Sequence, residues 1–426
     1  MIQPISDNPF AGQDLSVFDH NLDLPRHRWY EFKEGFSENL IRQAVDEVSS
    51  SRNKHNPKLL DPFSGSGTTL VTSGHLGLSG TGIEVNPFLA FAAKAKCASG
   101  RWQTNEFENL VNTALHNSQH ETPSPLEGLS TFTEKNGLDK WLFNRSVLRG
   151  YTSLDHALKH TGQYQLPLRL ALIASLMECC NARKDGKCLR YKKDWQTKGM
   201  NSIDLRETFR AKASSIIQDL VEHKFKASGL NVIEGDTRSK LKRLKAQTYD
   251  LVVTSPPYLN SFDYSDVYRP ELFAGGFATS NKELRGIRLK TLRSHVQVNW
   301  EPSVEVCSMM LPPILAQMKE RHDKLWNVRL IDMVQSYFSD MNEVLKECGR
   351  IVRPKGQAWI VVSTSAYAGI EIPVDLILAD IACKNGWALR GVNVLRNIRC
   401  SSQHWDNKET GSKSTLRESL IILQKG

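Results

Sequence analysis

The stretch LLDPFSGSGTTL, residues 59–70, decides how the rest of the chain is read. A short apolar run ends in an aspartate and a glycine-rich turn, and an apolar helical pattern, TLVTSGHLGL, follows directly. The pattern continues with SGTGIEVNP (79–87) as a second strand and PFLAFAAKAKCAS (87–99) as a second helix. This βαβα unit predicts an α/β fold with a doubly wound, mainly parallel sheet. In such sheets ligands sit beyond the carboxyl ends of the strands, near the first strand–helix turn. Gly65 and Gly67 let the backbone come close to a ligand and take positive φ, and the helix start offers free N–H groups.

Three ligands compete for that turn, with a plain tight turn as the bland alternative. A phosphate loop would close on Gly-Lys-Ser/Thr, but Gly67 is followed by Thr68 and Thr69. A dinucleotide fingerprint would place a third glycine where Leu70 stands. The third is S-adenosylmethionine, whose amino-acid portion suits backbone donors beside a carboxylate such as Asp61. Glu84 ends the second strand about twenty residues after the glycines, where a carboxylate accepts ribose hydroxyls in dinucleotide folds. Asp236, closing LNVIEGD (230–236), is placed to meet an adenine amino group. One carboxylate at a strand end is usually a turn or cap residue; carboxylates at three successive strand ends are harder to dismiss.

The fourth strand ends in DLVVTSPPY, residues 250–258. Pro256 and Pro257 cannot continue a ladder, so the last carbonyls stay free of ladder partners. The rigid prolines hold Ser255 and those carbonyls outward at low entropic cost, and Tyr258 adds a flat π-face. Such a loop suits a planar group bearing an exocyclic amine. Oxygens of Ser255 and Pro256 accept its hydrogens while the Tyr258 ring stacks on its plane. For PPY alone, a proline turn beside a core tyrosine is the bland reading.

The 426 residues are 40% hydrophobic and 24% charged, an ordinary soluble composition. No apolar run is long enough to cross a bilayer, and MIQPISDNPFAGQDLS lacks the pattern of a secretory signal. These features point to the cytoplasm. None of the 8 cysteines forms a CxxC pair or completes a zinc spacing, which predicts no metal. The net charge of +9 makes an anionic partner plausible. Residues 183–198, RKDGKCLRYKKDWQTK, carry seven Lys/Arg against two Asp. RSKLKRLK (238–245) and the set Lys282, Arg285, Arg288, Lys290 and Arg293 are further basic clusters. Solvated faces are the ordinary explanation of such clusters; Tyr191, Trp195 and Trp300 among or beside them favour nucleic acid.

Helical patterns at FENLVNTAL, LPLRLALIASLMECC and LRETFRAKASSIIQDLVEHK predict a helical insertion between the second and third strands. An irregular basic segment covers roughly 259–330. FSENLIRQAVDEVSS (36–50) reads as a helix capped by Ser37, and DMVQSYFSDMNEVLKECG (332–349) as one stopped by Gly349. QAWIVVST, PVDLILADIACKNG, WALRGVNVLRNI and ESLIILQK finish the chain as strand, helix, strand and strand, giving about seven strands in all.

At these residues the chain resembles the site-specific amino-methyltransferases that act on DNA: DPFSGSGTT is similar to their cofactor motif and TSPPY to their catalytic motif. The resemblance covers roughly two-thirds of the chain. It implies a Rossmann-like S-adenosylmethionine-dependent methyltransferase fold, double-stranded DNA as partner, a flipped target base and direct methyl transfer without a cysteine nucleophile. The serine-led motif goes mostly with cytosine N4 and the aspartate-led one mostly with adenine N6. TSPPY therefore points to cytosine N4, with adenine N6 as the alternative. A guanine-N2 RNA methyltransferase, which also carries a Pro-Pro-aromatic loop, is more distant; those enzymes usually have an added N-terminal module, and residues 1–56 leave little room for one. A decayed, non-enzymatic DNA-binding module would have lost motif residues that are all present.

HRWYEFKEGFSENLI (27–41) is similar to the segment covering the methionine end of the cofactor, and VIEGDTRSKL extends the likeness. The implied cofactor contacts are Tyr30, Ser37, Asp61, Pro62, Phe63, Gly65, Gly67, Thr68, Thr69, Glu84, Asn86, Asp236 and Thr237. The implied catalytic residues are Ser255, Pro256, Pro257 and Tyr258. Candidate DNA contacts are Arg183, Lys184, Lys187, Arg190, Lys192, Lys193, Arg285, Arg288 and Arg293. The chain then divides into 1–99, an N-terminal segment with the cofactor-binding half, and 100–229, the helical insertion. Residues 230–258 hold strands and the catalytic loop, 259–330 a candidate DNA-recognition insertion, and 331–426 the rest of the methyltransferase domain. A cognate restriction endonuclease or defence components are the further partners this implies.

Overall fold

The apolar runs ending at Asp61 and Thr254 have no polar alternation, so strands built from them must be covered on both faces. A computed structural model describes the chain apart from residues 1, 5–7, 53–55, 187, 198, 304, 306 and 399–415. The strands in chain order are β1 (Leu59–Asp61), β2 (Gly80–Glu84), β3 (Ala182–Asp185), β4 (Cys188–Tyr191), β5 (Leu230–Glu234), β6 (Tyr249–Thr254), β7 (Val352–Ser363), β8 (Ser365–Tyr367), β9 (Ile370–Ile372), β10 (Trp387–Ile398) and β11 (Leu416–Lys425). The helices are α1 (Glu38–Arg52), α2 (Thr68–His75), α3 (Pro87–Lys96), α4 (Thr104–Asn117), α5 (Arg145–Ala157), α6 (Gln165–Glu178) and α7 (Ser202–Glu222). Then follow α8 (Thr237–Leu241), α9 (Tyr264–Val267), α10 (Arg269–Ala274), α11 (Asn281–Arg288), α12 (Leu311–Glu320), α13 (Leu330–Ile351) and α14 (Val374–Lys384).

Seven strands form one sheet in the order β10-β11-β7-β6-β1-β2-β5. All neighbours from β7 to β5 are parallel, and β11 runs antiparallel to both β7 and β10. This is the Rossmann-like methyltransferase arrangement that the sequence predicts. The chain leaves β1 toward β2 on one side and returns as β6 on the other, so the crevice between β1 and β6 is the switch point where such sheets bind ligands.

Alternation along the central strands sorts the core. Leu59, Leu251, Val253, Trp359 and Val361 pack with Leu40, Ile41 and Val48 of α1. Leu60, Val252, Ala358, Ile360 and Val362 pack on the other face with Met333, Tyr337 and Met341 of α13 and Ile377 of α14. The period of two along each strand assigns neighbouring residues to opposite faces. A third cluster joins Phe88 and Ala92 of α3 to Phe107, Leu148, Ile173 and Phe209 of α4 to α7, so the insertion is packed onto the first half of the sheet.

Three segments differ from their sequence reading. The basic run after α6 forms an antiparallel hairpin, β3 with β4, within the insertion that the sequence reads as helical overall. Asp185-Gly186 is a hairpin-turn signal hidden among lysines and arginines, and Gly186 has φ +56. Residues 259–330 carry the short helices α9 to α12 in place of irregular chain. Gly349 does not stop α13, which continues to Ile351. A Cβ there would lie 3.3 Å from Nε1 of Trp387, so the glycine makes room for that indole. Among the described residues no helix is long and apolar enough to cross a membrane.

The segment preceding α1 is anchored to α7 by one buried carboxylate. Asp219 Oδ2 accepts hydrogen bonds from the Arg26 amide (2.9 Å) and Trp29 Nε1 (2.8 Å), and both carboxylate oxygens pair with Arg28. Removing one partner of a buried network strands the others without water. Asp219→Ala should therefore cost about 3 kcal/mol of stability in chemical denaturation; a loss below about 0.5 kcal/mol would show that this anchor is dispensable.

Candidate active site

β1 ends in Asp61, whose carboxylate is buried beneath the glycine turn. Its Oδ2 accepts from Thr69 Oγ1 on α2 (2.7 Å), and its Oδ1 accepts from Thr254 Oγ1 at the end of β6 (2.7 Å) and from the Phe63 amide (3.0 Å). Thr254 immediately precedes Ser255, so one carboxylate fastens the glycine turn to the Ser-Pro-Pro-Tyr loop. Burial pushes its pKa up to about 6 despite those donors.

Gly65 has φ +50, and a Cβ there would lie 2.6 Å from the Phe32 ring. Its amide donates to Glu84 Oε2 (2.8 Å), while Glu84 Oε1 accepts from the Asn86 amide (2.7 Å). Burial pushes the Glu84 carboxyl up to about 7. Asn86 caps α3 through Oδ1, which accepts from the Phe88 amide (3.0 Å). Its Nδ2 and the Oγ1 of Thr237 are buried without a protein partner.

These residues wall a cavity of about 440 Å³. Asp61, Pro62, Phe63, Gly65, Thr68, Glu84, Asn86, Asp236 and Thr237 line it together with Ser255, Pro256, Pro257 and Tyr258. Four of the sequence-derived cofactor candidates stand behind that wall. Thr69 is spent on Asp61. Gly67 is the left-handed start of α2, and a Cβ on it would meet that of Ala93 at 2.9 Å. Tyr30 is buried with its hydroxyl donated to Glu271 (2.6 Å), and Ser37 Oγ accepts from the Asn39 amide at the start of α1 (3.2 Å). The same segment reaches the cavity instead through Phe32, Lys33, Glu34, Gly35 and Phe36. Buried Lys96 holds it there, donating to the carbonyls of His27 (3.0 Å) and Tyr30 (2.9 Å) and to Ser66 Oγ (3.3 Å). Burial lowers its pKa to about 7. Asp236 lines the cavity while Arg238 engages both of its oxygens, and Arg238 also pairs with Asp340 (2.9 Å).

The Ser-Pro-Pro-Tyr loop is held from below by residues far away in sequence. The Leu259 carbonyl accepts from Tyr367 Oη (3.1 Å) and from Ser365 Oγ. The Tyr258 phenol donates to Glu418 Oε1 (3.3 Å). Asn260, Phe262, Tyr264, His295, Arg396 and Glu418 also line the cavity. None lies in a motif, and only the sheet order brings β10 and β11 here.

Several candidate DNA contacts are committed within the chain. Arg293 grips both oxygens of Asp340, and Arg288 pairs with Asp263 (2.6 Å) and Asp266. Lys184 reaches inward, 2.6 Å from Glu271 and 3.5 Å from the Tyr268 ring centroid. Those three are withdrawn from the set of surface cations because their charge is matched internally. Arg190 pairs with Asp185, and Lys192 donates to the Glu178 carbonyl (2.8 Å). Arg183, Lys193 and Arg285 are exposed; Lys187 lies outside the described residues. Trp195 is buried against Trp141, with ring centroids 4.7 Å apart, and serves the insertion's core.

No family model matches the chain. It is 26% identical over 441 residues to the Type II methyltransferase M.AvaI of Nostoc sp. strain PCC 7120, covering 97% of this chain and 89% of the relative. Identity to the Type II methyltransferase M.BsoBI of Geobacillus stearothermophilus is 24% over 478 residues, covering 100% and 90%. TTHA0409 of Thermus thermophilus, solved with S-adenosyl-L-methionine, overlays 45% of this chain and 53% of its own with a TM-score of 0.23 at 17% identity. That overlay is loose, and the fold assignment rests on the strand order.

The raised Glu84 carboxyl has a measurable consequence. Its folded pKa lies above the unfolded one, so between about pH 5 and 7 the folded state holds the extra proton and stability falls as pH rises. Glu84→Gln has no such charge to bury. Across about pH 5 to 7, the Tm of the variant should gain on that of the native chain; parallel Tm curves would show that Glu84 titrates normally.

Proposed function

We propose that this chain, a relative of the Type II methyltransferases along nearly its whole length, transfers the methyl group of S-adenosylmethionine to the exocyclic N4 amine of cytosine in a specific DNA sequence. The observation that carries the reading is the shared cavity: the glycine turn with Glu84 and the Ser255–Tyr258 loop wall one space and are fastened to each other through Asp61. A cavity of about 440 Å³ is of small-molecule size.

The donor set suits a nucleoside bearing a cationic sulfur. Asn86 Nδ2 and Thr237 Oγ1 are buried polar atoms with unused capacity, which favours a polar ligand over an apolar one. Glu84, lining the cavity at the end of β2, supports a role in accepting ribose hydroxyls, and with Asp61 it supplies a second carboxyl to a space meant for a cationic ligand. Bound there, the cofactor would supply a sulfonium methyl group for direct displacement by the amine nitrogen, with S-adenosylhomocysteine as the leaving group and the surplus amine proton passing to water. The amine's lone pair is delocalised into the base. Acceptors at Ser255 and the Pro256 carbonyl favour a pyramidal nitrogen that recovers it, and the Tyr258 ring fixes the plane of the base.

The target base must leave the duplex to enter such a space. Exposed Arg183, Lys193 and Arg285, with Arg190 and Lys192 beside them, are the proposed phosphate contacts, which makes DNA affinity fall with salt. In this reading residues 259–330 contact DNA near the flipped base and residues 140–200 of the insertion grip the backbone. The Type II name of the relatives favours a restriction–modification setting with a companion endonuclease.

Incubation with labelled S-adenosylmethionine and genomic DNA, followed by nucleoside mass spectrometry, should yield N4-methylcytosine. N6-methyladenine would overturn the choice of base, and label in RNA alone would overturn the choice of polymer. Tyr258→Ala removes a stacking platform of about 1–3 kcal/mol, or roughly 5- to 150-fold in methyl transfer. Cofactor affinity should stay within about threefold; loss of cofactor binding would contradict the division of roles between the two loops.

A further inference from the structure

We propose that Glu418 is a positioning residue for methyl transfer: clamped by Arg396, it holds the phenol of Tyr258 so that the ring is already set in the plane on which the base stacks. This rests on the reading of Tyr258 given above and extends it to two residues that lie in no motif. The phenol donates to Glu418 Oε1 at 3.3 Å, and the other carboxylate oxygen, Oε2, pairs with Nε of Arg396. Both residues line the cavity. The Glu418 side chain is only 7% exposed, a costly site for a carboxylate unless each oxygen has a partner.

The local fold is shaped to make this pair. In the β10–β11 ladder Val394 faces Ser419, and a regular antiparallel register would then set Leu395 opposite Glu418. A register shift between Val394 and Arg396 sets Arg396 opposite Glu418 instead. Leu395 drops into the apolar cluster beneath α1, and Arg396 is turned toward the cavity. β-Bulges next to sites commonly re-aim a side chain in this way. The neighbouring Leu259 carbonyl is pinned independently by Tyr367 and Ser365. The backbone of the loop is therefore held without Glu418, and what the Glu418–Arg396 pair adds is control of the tyrosine ring.

A structural ion pair at the sheet edge would lie in the same place, and a double-mutant cycle separates the two roles. Glu418→Ala should lower kcat by roughly 10- to 100-fold with cofactor Kd unchanged. Glu418→Gln, whose amide oxygen still accepts from the phenol, should recover most of that loss. Tyr258→Phe has no hydroxyl to hold, so adding Glu418→Ala to it should produce little further fall in kcat. An equal fall in both backgrounds would overturn the proposal. So would a fall in the Tm of Glu418→Ala that accounts for the whole loss of activity. A readout independent of activity is the ring-carbon NMR signal of Tyr258 in the ligand-free protein, assigned by its absence in Tyr258→Phe. A single ordered signal should become averaged in Glu418→Ala, and an unchanged signal would refute the clamp whatever reaction the protein catalyses. If the native chain methylates no DNA while the signal responds as expected, the proposed reaction fails and the clamp stands.

Discussion

The site depends on one buried carboxylate. Asp61 ends the first strand of the sheet, and its two oxygens are divided between Thr69 of α2 and Thr254 of the fourth strand of the parallel set. Those strands are neighbours in space and nearly two hundred residues apart in sequence. A carboxylate without water must be satisfied by protein donors, and here the donors belong to the two loops that have to face one another. The cost of burying Asp61 is visible in its raised pKa, and what it secures is the relative position of the glycine turn and the diproline turn.

A second layer of fixation surrounds that pair. Glu84 binds the turn through the Gly65 amide, Lys96 draws the preceding segment across it, and the Arg238–Asp340–Arg293 network ties the Asp236 side of the cavity to α13. Most of these groups are charged and buried together, so their contribution lies in a specified geometry more than in net stability. That suits a cavity whose two halves must present their ligands in line with each other.

The sequence was legible where the physics is local. The run into Asp61, the glycines at positive φ, Asn86 as a helix cap and the prolines after Ser255 each declare their conformation within a few residues. The seven strands of the sheet could be placed from apolar runs bounded by turns. Long-range partners stayed hidden. Ser37 reads as a helix cap, but nothing in EGFSENL says that Phe36 and not Ser37 faces the cavity, and nothing near Arg288 or Arg293 reveals that Asp263 and Asp340 will neutralise them. The positive charge of the chain is therefore a poor guide to its anion-binding surface. Tyr191 and Trp195 mislead in the same way: their rings pack against each other at a tilt in the insertion, and a sequence pattern cannot distinguish them from exposed platforms. The Asp-Gly turn between β3 and β4 was available in the sequence, but the surrounding basic residues masked its hairpin meaning.

The central claim is that the cofactor's reacting end and the diproline loop meet in one cleft. A crystal structure of the protein with S-adenosylhomocysteine tests it most directly and needs no knowledge of the DNA sequence. The account predicts the ribose on Glu84, the amino-acid portion under the glycine turn, and the sulfur facing the carbonyl of Pro256. A ligand bound outside the cleft, or seated within it with its sulfur turned away from Ser255–Tyr258, would contradict the account.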